Sequence, residues 1–265
     1  MLIAGESAVK GWEELADWYD KKQGNVGDLW HKTMIDPALL RVMGRCRGKE
    51  VLDLGCGNGY LSRRLAKKGA KVTAVDASPQ MIRNAKAHDP KNSLAIRYVR
   101  ADAGKLDGIP NSKFDLVFAN MSMMDIENAD DAIEEVGRIL RRGGKFVMSI
   151  NHPCFDVMSN SLWVAEKRIG RPPVVYRMVT GYRNLFFEDL PWNMGENRRG
   201  YTRGFHRPLS WYVRILHSSG MAITALEEPK PTEEFVREEQ KEPGDLDGSG
   251  FLEVPLHLVI EAVKL

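Results

Sequence analysis

The stretch VLDLGCGNG, residues 51–59, decides the fold of this chain. An apolar run over residues 50–54 has the composition of a buried strand, and three glycines follow it within five residues. Glycine lets the backbone turn sharply and lets a ligand approach the peptide groups closely. The stretch therefore predicts a strand that passes through a ligand-binding turn into a helix beginning near Tyr60.

Similar apolar runs recur as far as residue 150, separated by segments with helical periodicity. One of these helices has Ser78 as its predicted N-cap, and another is predicted over 129–142 with Asn128 as its cap. Nearly continuous apolar strands alternating with helices indicate a parallel sheet covered on both faces. Right-handed crossovers make such a sheet doubly wound. The predicted strands are 50–54, 71–75, 95–100, 114–119 and 145–150.

The alternation stops after residue 150. Residues 151–207 are rich in proline, aromatic residues and arginine, and we predict that they form a lid inserted after the fifth strand, with one strand near 174–180. Regular structure is predicted to resume with a helix over 208–219 and strands over 222–227 and 252–263. We expect one domain over 1–265, with residues 1–45 as an N-terminal helical cap and 151–207 as the acceptor-binding insertion.

Carboxylates follow successive strands of the predicted sheet. Asp53 ends the first strand, Asp76 ends the second about 20 residues beyond the glycine turn, and Asp102 follows the third. An acid at the position of Asp76 can accept hydrogen bonds from the ribose hydroxyls of an adenosine ligand. The spacing G-x-G-x-G, preceded by Asp53, differs from the G-x-G-x-x-G that serves a pyrophosphate, and a carboxylate there suits a cationic amino-acid ligand.

The motifs VLDLGCGNGYLS, VTAVDASPQMI, YVRADAGKL, FDLVFANMSMMDI and IEEVGRILRRGGKFVMSI resemble those of class I S-adenosylmethionine-dependent methyltransferases over roughly residues 50–150. The later segments HRPLSWYVRILHSSG and ITALEEP are similar to the small-molecule branch often called type 11. The resemblance implies a Rossmann-like α/β fold. Its doubly wound seven-stranded sheet would be mostly parallel, with an antiparallel last strand.

The resemblance also implies that the chain binds S-adenosylmethionine and releases S-adenosylhomocysteine. The glycine turn would contact the methionine portion, Asp76 the ribose, and Asp102 the adenine edge, while the Tyr19 hydroxyl would point towards the cofactor. The implied cofactor positions, with Asp53 added from the charge argument, are Tyr19, Asp53, Gly55, Gly57, Asp76, Ala77, Met81, Asp102, Ala103 and Asn120.

Candidates for the acceptor side come from the fourth strand's exit and from the lid. His152 directly follows the fifth strand, and His206 lies just before the helix that follows the lid. Either imidazole is therefore a candidate general base near neutral pH. Methionine and aromatic side chains suit an apolar pocket wall. The candidate acceptor residues are Ser122, Met123, His152, Phe155, Tyr176 and His206.

Composition limits the partners. The formal net charge of +2 argues against nucleic acid, and three scattered cysteines form neither a disulfide framework nor a metal motif. So few cysteines fit a reducing setting, and we therefore expect a cytoplasmic protein. No apolar run approaches the length needed to cross a bilayer. The sequence predicts a methyltransferase acting on a small molecule. A tRNA or rRNA methyltransferase and a non-catalytic S-adenosylmethionine-binding regulatory protein are its alternatives, and the oligomeric state stays open.

Overall fold

The computed structural model describes residues 6–195, 197–239 and 249–265. Residues 1–5 of the predicted cap lie outside the described residues. The helices are α1 Glu6–Gln23, α2 Asp36–Met43, α3 Tyr60–Lys67, α4 Pro79–Ala87, α5 Ala129–Ile139, α6 Leu209–Ser218, α7 Glu233–Glu239 and α8 Ser249–Glu253. The strands are β1 Glu50–Leu54, β2 Lys71–Asp76, β3 Arg97–Arg100, β4 Phe114–Asn120, β5 Leu140–Asn151, β6 Ser161–Arg168, β7 Arg171–Val179, β8 Phe186–Asn193, β9 Arg199–His206, β10 Met221–Glu227 and β11 His257–Lys264.

Seven strands form one sheet in the order β10-β11-β5-β4-β1-β2-β3. Strands β1 to β5 pair in parallel, while β11 is antiparallel to both of its neighbours, β5 and β10. This architecture confirms the predicted α/β, doubly wound, seven-stranded sheet with an antiparallel last strand. Its order also places the carboxyl ends of β4, β1, β2 and β3 side by side at one edge.

The sheet has a hydrophobic core on each face. Successive side chains of β1 alternate between them: Val51 packs with Leu39 and Leu61 on one face, while Leu52 packs with Val136 on the other. All five of these apolar side chains are buried, with at most 2% of their surface exposed. Burial on both faces explains why the parallel strands are nearly continuous apolar runs.

The N-terminal helix α1 docks onto the start of α4. The Ser78 hydroxyl accepts a hydrogen bond from the Met81 amide at 3.0 Å, which confirms the predicted N-cap. It also donates to Glu13 of α1, and the Gln80 amide donates to the same carboxylate at 2.9 Å. The cap is therefore anchored beside the ends of β2 and β3.

The predicted start of α5 at residue 129 is confirmed, but its side-chain cap and its predicted end are wrong. Asn128 makes no side-chain capping bond, and the helix ends at Ile139 rather than at residue 142. Leu140 already pairs with Phe114 of β4, so strand pairing takes over from the helix. The left-handed backbone of Gly143 then accommodates an irregularity in the pairing.

The insertion consists of two antiparallel hairpins, β6–β7 and β8–β9. Only the strand near 174–180 was predicted. The others escaped prediction because their side chains are mixed: β8 alternates between half-buried and exposed positions and contains charged residues and a proline. The predicted last strand over 252–263 is corrected to His257–Lys264, since α8 occupies the preceding segment.

None of the helices in the described part of the chain is long and apolar enough to span a membrane.

The contact between α1 and β9 is tight at Gly11. A Cβ atom at this position would lie 2.5 Å from the carbonyl oxygen of Tyr201. Gly11→Ala should therefore lower the free energy of unfolding by about 1–3 kcal/mol, although alanine favours helices, because the backbone of β9 would have to move. Urea denaturation measures this change.

The matched control is Lys10→Ala, which changes the neighbouring exposed residue of the same helix. Its stability should stay within about 0.5 kcal/mol of the wild-type value. A Gly11→Ala protein as stable as the control would contradict the close contact between α1 and β9.

Candidate functional site

A cleft opens at the carboxyl edge of the sheet, above the ends of β1, β2 and β4 and beneath α1. The volume of the cleft, counted together with the open solvent at its mouth, is about 1170 Å³. All ten predicted cofactor positions line it, and so does Ser122 from the acceptor set. The ten cofactor positions are Tyr19, Asp53, Gly55, Gly57, Asp76, Ala77, Met81, Asp102, Ala103 and Asn120.

The glycine turn after β1 is held against both neighbouring strands. The amides of Gly55 and Cys56 each donate to the carbonyl of Val75 at 2.9 Å. On the other side, the Ser122 hydroxyl donates to the carbonyl of Leu54 at 2.8 Å. Gly55 has a φ of 73°, and a Cβ there would lie 2.6 Å from that of Ser122. The turn therefore requires glycine both for its backbone conformation and for its packing against the exit of β4.

Two backbone amides orient the carboxylate of Asp76 at the end of β2. Gly57 donates to Oδ2 at 2.8 Å and Ser78 donates to Oδ1 at 2.9 Å. Each carboxylate oxygen can accept a further hydrogen bond, so Asp76 retains capacity for a pair of hydroxyl groups in the cleft. Asp102, at the end of β3, accepts a hydrogen bond from the Gly104 amide at 2.8 Å.

The cleft is acidic. Burial raises the pKa of Asp53 to about 7, with a hydrogen bond from Ser62 opposing the shift and the charge of Asp76 adding to it. Burial also raises the pKa of Asp125 to about 8, against a hydrogen bond with Trp12. Among the described residues that line the cleft there is no lysine or arginine. The site is thus built for a ligand that carries positive charge.

The end of β4 is fixed by a buried polar network. The Asn120 amide nitrogen donates to Asp36 at 3.0 Å and to the Tyr60 hydroxyl at 2.9 Å, and its carbonyl oxygen accepts from Ser149 at 2.7 Å. The Tyr60 hydroxyl donates to Asp36 at 2.9 Å. Because these bonds occupy the Asn120 side chain, its backbone is the part available to a ligand.

The cap contributes residues that the sequence analysis missed. Gln23, His31 and Trp12 line the cleft, together with Tyr60 and Asp125 from other elements. No sequence spacing reveals them, because the turn between α1 and α2, including the π-helical segment His31–Ile35, folds back over the sheet edge. Tyr19, a predicted cofactor position, contacts one of these residues, because Gln23 donates to its hydroxyl at 2.7 Å. Burial raises the Tyr19 pKa, so the hydroxyl stays neutral.

An aromatic cluster joins the cap to the second hairpin. Trp192 of β8 lies with its ring centroid 5.7 Å from that of Trp12, 5.8 Å from Trp18 and 6.1 Å from Tyr19. Aromatic pairs at these separations contribute favourable edge-to-face contacts. The second hairpin thereby holds α1 down over the cleft.

Five predicted acceptor residues lie away from this cleft. Met123 is fully buried in the core beneath the exit of β4. His152 and Phe155 line a separate pocket, where His152 Nε2 is 3.2 Å from Glu228. His206 Nε2 bonds the carbonyl of Tyr182 at 2.8 Å, and Tyr176 projects from the first hairpin with 43% of its surface exposed.

The topology explains this separation. Strand β5 runs on to Asn151 alongside β11, so its end lies beyond the cleft edge, and the first hairpin extends the chain further away. No group of three or more His, Cys, Asp or Glu in the described part of the chain is arranged to hold a metal ion.

Comparison with known proteins identifies the central part of the chain. Residues 52–148 match the family model of the methyltransferase domain. A malonyl-[acyl-carrier protein] O-methyltransferase of Enterobacter lignolyticus is 38% identical over 111 residues, which cover 41% of each chain. A ubiquinone biosynthesis O-methyltransferase of Coxiella burnetii is 33% identical over 147 residues, covering 52% of this chain and 61% of the relative. The chain thus spans about half the length of the curated relatives it matches.

Solved structures extend the likeness beyond those residues. An S-adenosylmethionine-dependent methyltransferase from Mesorhizobium loti superposes with a TM-score of 0.67 at 27% identity, covering 86% of this chain and 96% of that one. A putative S-adenosylmethionine-dependent methyltransferase from Listeria monocytogenes gives a TM-score of 0.66 at 25% identity, with coverages of 89% and 97%. Residues 52–148 therefore match a methyltransferase domain, and the chain shares its fold with S-adenosylmethionine-dependent methyltransferases of known structure.

Proposed function

We propose that the protein transfers a methyl group from S-adenosylmethionine to a small-molecule acceptor by in-line displacement. The observation that carries this proposal is the acidic cleft at the carboxyl edge of the sheet. It combines a glycine turn, an oriented carboxylate at Asp76 and raised carboxyl pKa values at Asp53 and Asp125, with no lysine or arginine among its described lining residues. This donor set fits a cofactor that carries a sulfonium and an ammonium group together with a ribose.

The assignment of cofactor parts follows the sheet order. Asp76 would hold the ribose hydroxyls, and Asp102 and Met81 would border the adenine on the β3 side of the cleft. Asp53 and the backbone of Asn120 would face the amino-acid end on the β4 side. When bound, the cofactor supplies an electrophilic methyl group on positively charged sulfur.

The protein's own contribution is alignment and exclusion of water. Alignment of reacting groups can contribute about 7–11 kcal/mol of barrier lowering without an acid or base. Helix α1 covers the cleft, and Trp192 of the second hairpin holds that helix in place.

The relatives support an oxygen acceptor, since the malonyl-[acyl-carrier protein] and ubiquinone biosynthesis enzymes are O-methyltransferases. The alternative of an RNA substrate has less support. An RNA-binding mouth needs clustered cations to neutralise phosphates, whereas the described cleft lining is acidic and the net charge is only +2.

Asp76→Asn should weaken binding of S-adenosylhomocysteine roughly 10- to 100-fold, because hydrogen bonds to a charged acceptor contribute about 1.5–3 kcal/mol. Isothermal titration calorimetry measures this affinity. Asp107→Asn is the matched control, since Asp107 is exposed and its ion pair with Lys105 lies at the surface. Equal affinities of the two variants would contradict the role proposed for Asp76.

Affinity for S-adenosylmethionine should rise as the pH increases from about 6 to 9. Below their raised pKa values of about 7 and about 8, Asp53 and Asp125 are protonated and neutral. A positively charged ligand favours their ionised forms, so binding expels protons across this window and tightens as the pH passes through it. S-adenosylhomocysteine, which lacks the sulfonium charge, should show a weaker dependence.

Calorimetry at pH 7.5 in two buffers of different ionisation enthalpy counts the protons released. Asp125→Asn should release fewer protons than the wild-type protein on binding S-adenosylmethionine. Identical, proton-free binding of both ligands would contradict the proposed charge complementarity.

The activity itself is tested by incubating the protein with methyl-labelled S-adenosylmethionine and a fractionated cell extract. We expect label in the small-molecule fraction, where mass spectrometry identifies the products. Label in RNA alone would favour the RNA methyltransferase alternative. Tight cofactor binding without transfer to any fraction would favour a regulatory protein without turnover.

A further inference from the structure

We propose that His31 is the general base of the reaction, held by Asp28, and that the acceptor presents an acidic hydroxyl group such as that of a phenol or enol. This inference rests on the proposed methyl transfer and names the acceptor class for the same cleft. It differs from the sequence-based candidates His152 and His206, which lie outside the cleft.

His31 begins the π-helical turn of the cap and lines the cleft with only 8% of its surface exposed. Its ring nitrogen Nδ1 is 2.7 Å from Oδ1 of Asp28, and the same oxygen accepts the His31 backbone amide at 3.1 Å. The Asp28 amide in turn donates to Gln23 at 2.9 Å. Histidine and carboxylate are therefore fixed relative to one another by side-chain and backbone contacts.

Asp28 is ionised in this pair. Burial alone would raise its pKa, but hydrogen bonds from His31 and the charges of His31 and Lys22 outweigh burial and lower the pKa to about 2. When the ring is neutral, the carboxylate keeps its single proton on Nδ1, which leaves the lone pair on Nε2. No described residue lies within hydrogen-bonding distance of Nε2, so a proton donor in the cleft can approach it.

The position of His31 in the cleft matches the acceptor side. Asp76 and Asp102 end β2 and β3 on one flank of the glycine turn, whereas Asn120 ends β4 on the other. Asn120 bonds the Tyr60 hydroxyl, and the ring of Tyr60 lies 6.1 Å from that of His31 in an edge-to-face arrangement. The imidazole thus adjoins the amino-acid end of the proposed cofactor site, which carries the methyl group, rather than the adenine end.

The other titratable groups of the cleft are less suited to accept a proton from the acceptor. Asp53 is 2% exposed and is bonded by Ser62 at 2.6 Å. Tyr19 is neutral and bonded to Gln23, while Asp125 has no oriented partner comparable to the pair formed by Asp28 and His31. Geometry therefore favours His31.

In the proposed methyl transfer, atoms and electrons are conserved. The acceptor oxygen forms a bond to the methyl carbon, the carbon–sulfur bond breaks with its electron pair remaining on sulfur, and the hydroxyl proton moves to Nε2 of His31 and then to solvent. A base is needed only for a nucleophile that is protonated at working pH. Imidazole can assist a phenol-like hydroxyl with a pKa near 10, whereas a carboxylate or thiolate acceptor would not require it.

The test is single-turnover transfer of labelled methyl from S-adenosylmethionine to the small-molecule fraction of a cell extract. His31→Gln should lower the rate by about 10²–10⁴-fold while its affinity for S-adenosylhomocysteine stays within about threefold of wild type. Asp28→Asn should lower the rate less and shift its pH dependence. His217→Gln, an exposed histidine at the end of α6, should transfer at the wild-type rate.

Chemical rescue separates a base from a structural residue. Imidazole added to His31→Ala should restore transfer in proportion to the concentration of its neutral form, which a packing role would not produce. Full transfer by His31→Gln, loss of transfer only in His152→Gln or His206→Gln, or label found only on carboxylates or thiols would overturn the inference. If the wild-type protein binds S-adenosylhomocysteine but labels nothing, the proposed function fails as well, which is a distinguishable result.

Discussion

Carboxyl groups buried at one edge of the sheet impose the constraint around which this molecule is organised. Burying an acid without a cation is unfavourable, and the raised pKa values of Asp53 and Asp125 record that cost. A nearby lysine or arginine would remove it, yet none stands among the described residues lining the cleft. The carboxyl groups of the cleft therefore have no lysine or arginine beside them in its described lining, and a positively charged ligand stabilises their ionised forms.

The surrounding structure keeps those carboxyl groups in register. The glycine turn is bonded to β2 through Val75 and to the exit of β4 through Ser122, so three neighbouring strand ends form one rigid unit. Asp76 is aimed by amides from the turn and from the start of α4. Glu13 of the cap also bonds to the start of α4. Helix α1, which covers the cleft, is therefore fixed to the same segment that orients Asp76.

The sequence predicts those features of the cleft that follow from the regular alternation of strands and helices. Asp53 and Asp76 end apolar strands of a parallel sheet, and such ends meet at one edge whatever the intervening helices contain. Cap contacts follow no such rule. His31 lines the cleft because the chain turns back after α1, and Trp192 reaches Trp12 through a hairpin whose strands alternate and carry charges. His152 shows the opposite error: it follows a strand end, but β5 extends past the cleft beside β11.

These contacts give the cap and the insertion different positions relative to the cleft. The insertion contributes no residue to the described cleft lining, whereas α1 and the turn after it contribute Trp12, Tyr19, Gln23 and His31. The second hairpin acts through Trp192, which packs on the outer side of α1. A change in the insertion can therefore reach the cleft through the cap, or through Arg207, which donates to the carbonyls of Ile126 and Glu127 at 2.7 Å. The cap therefore forms one wall of the described cleft, and Trp192 of the second hairpin packs against that cap.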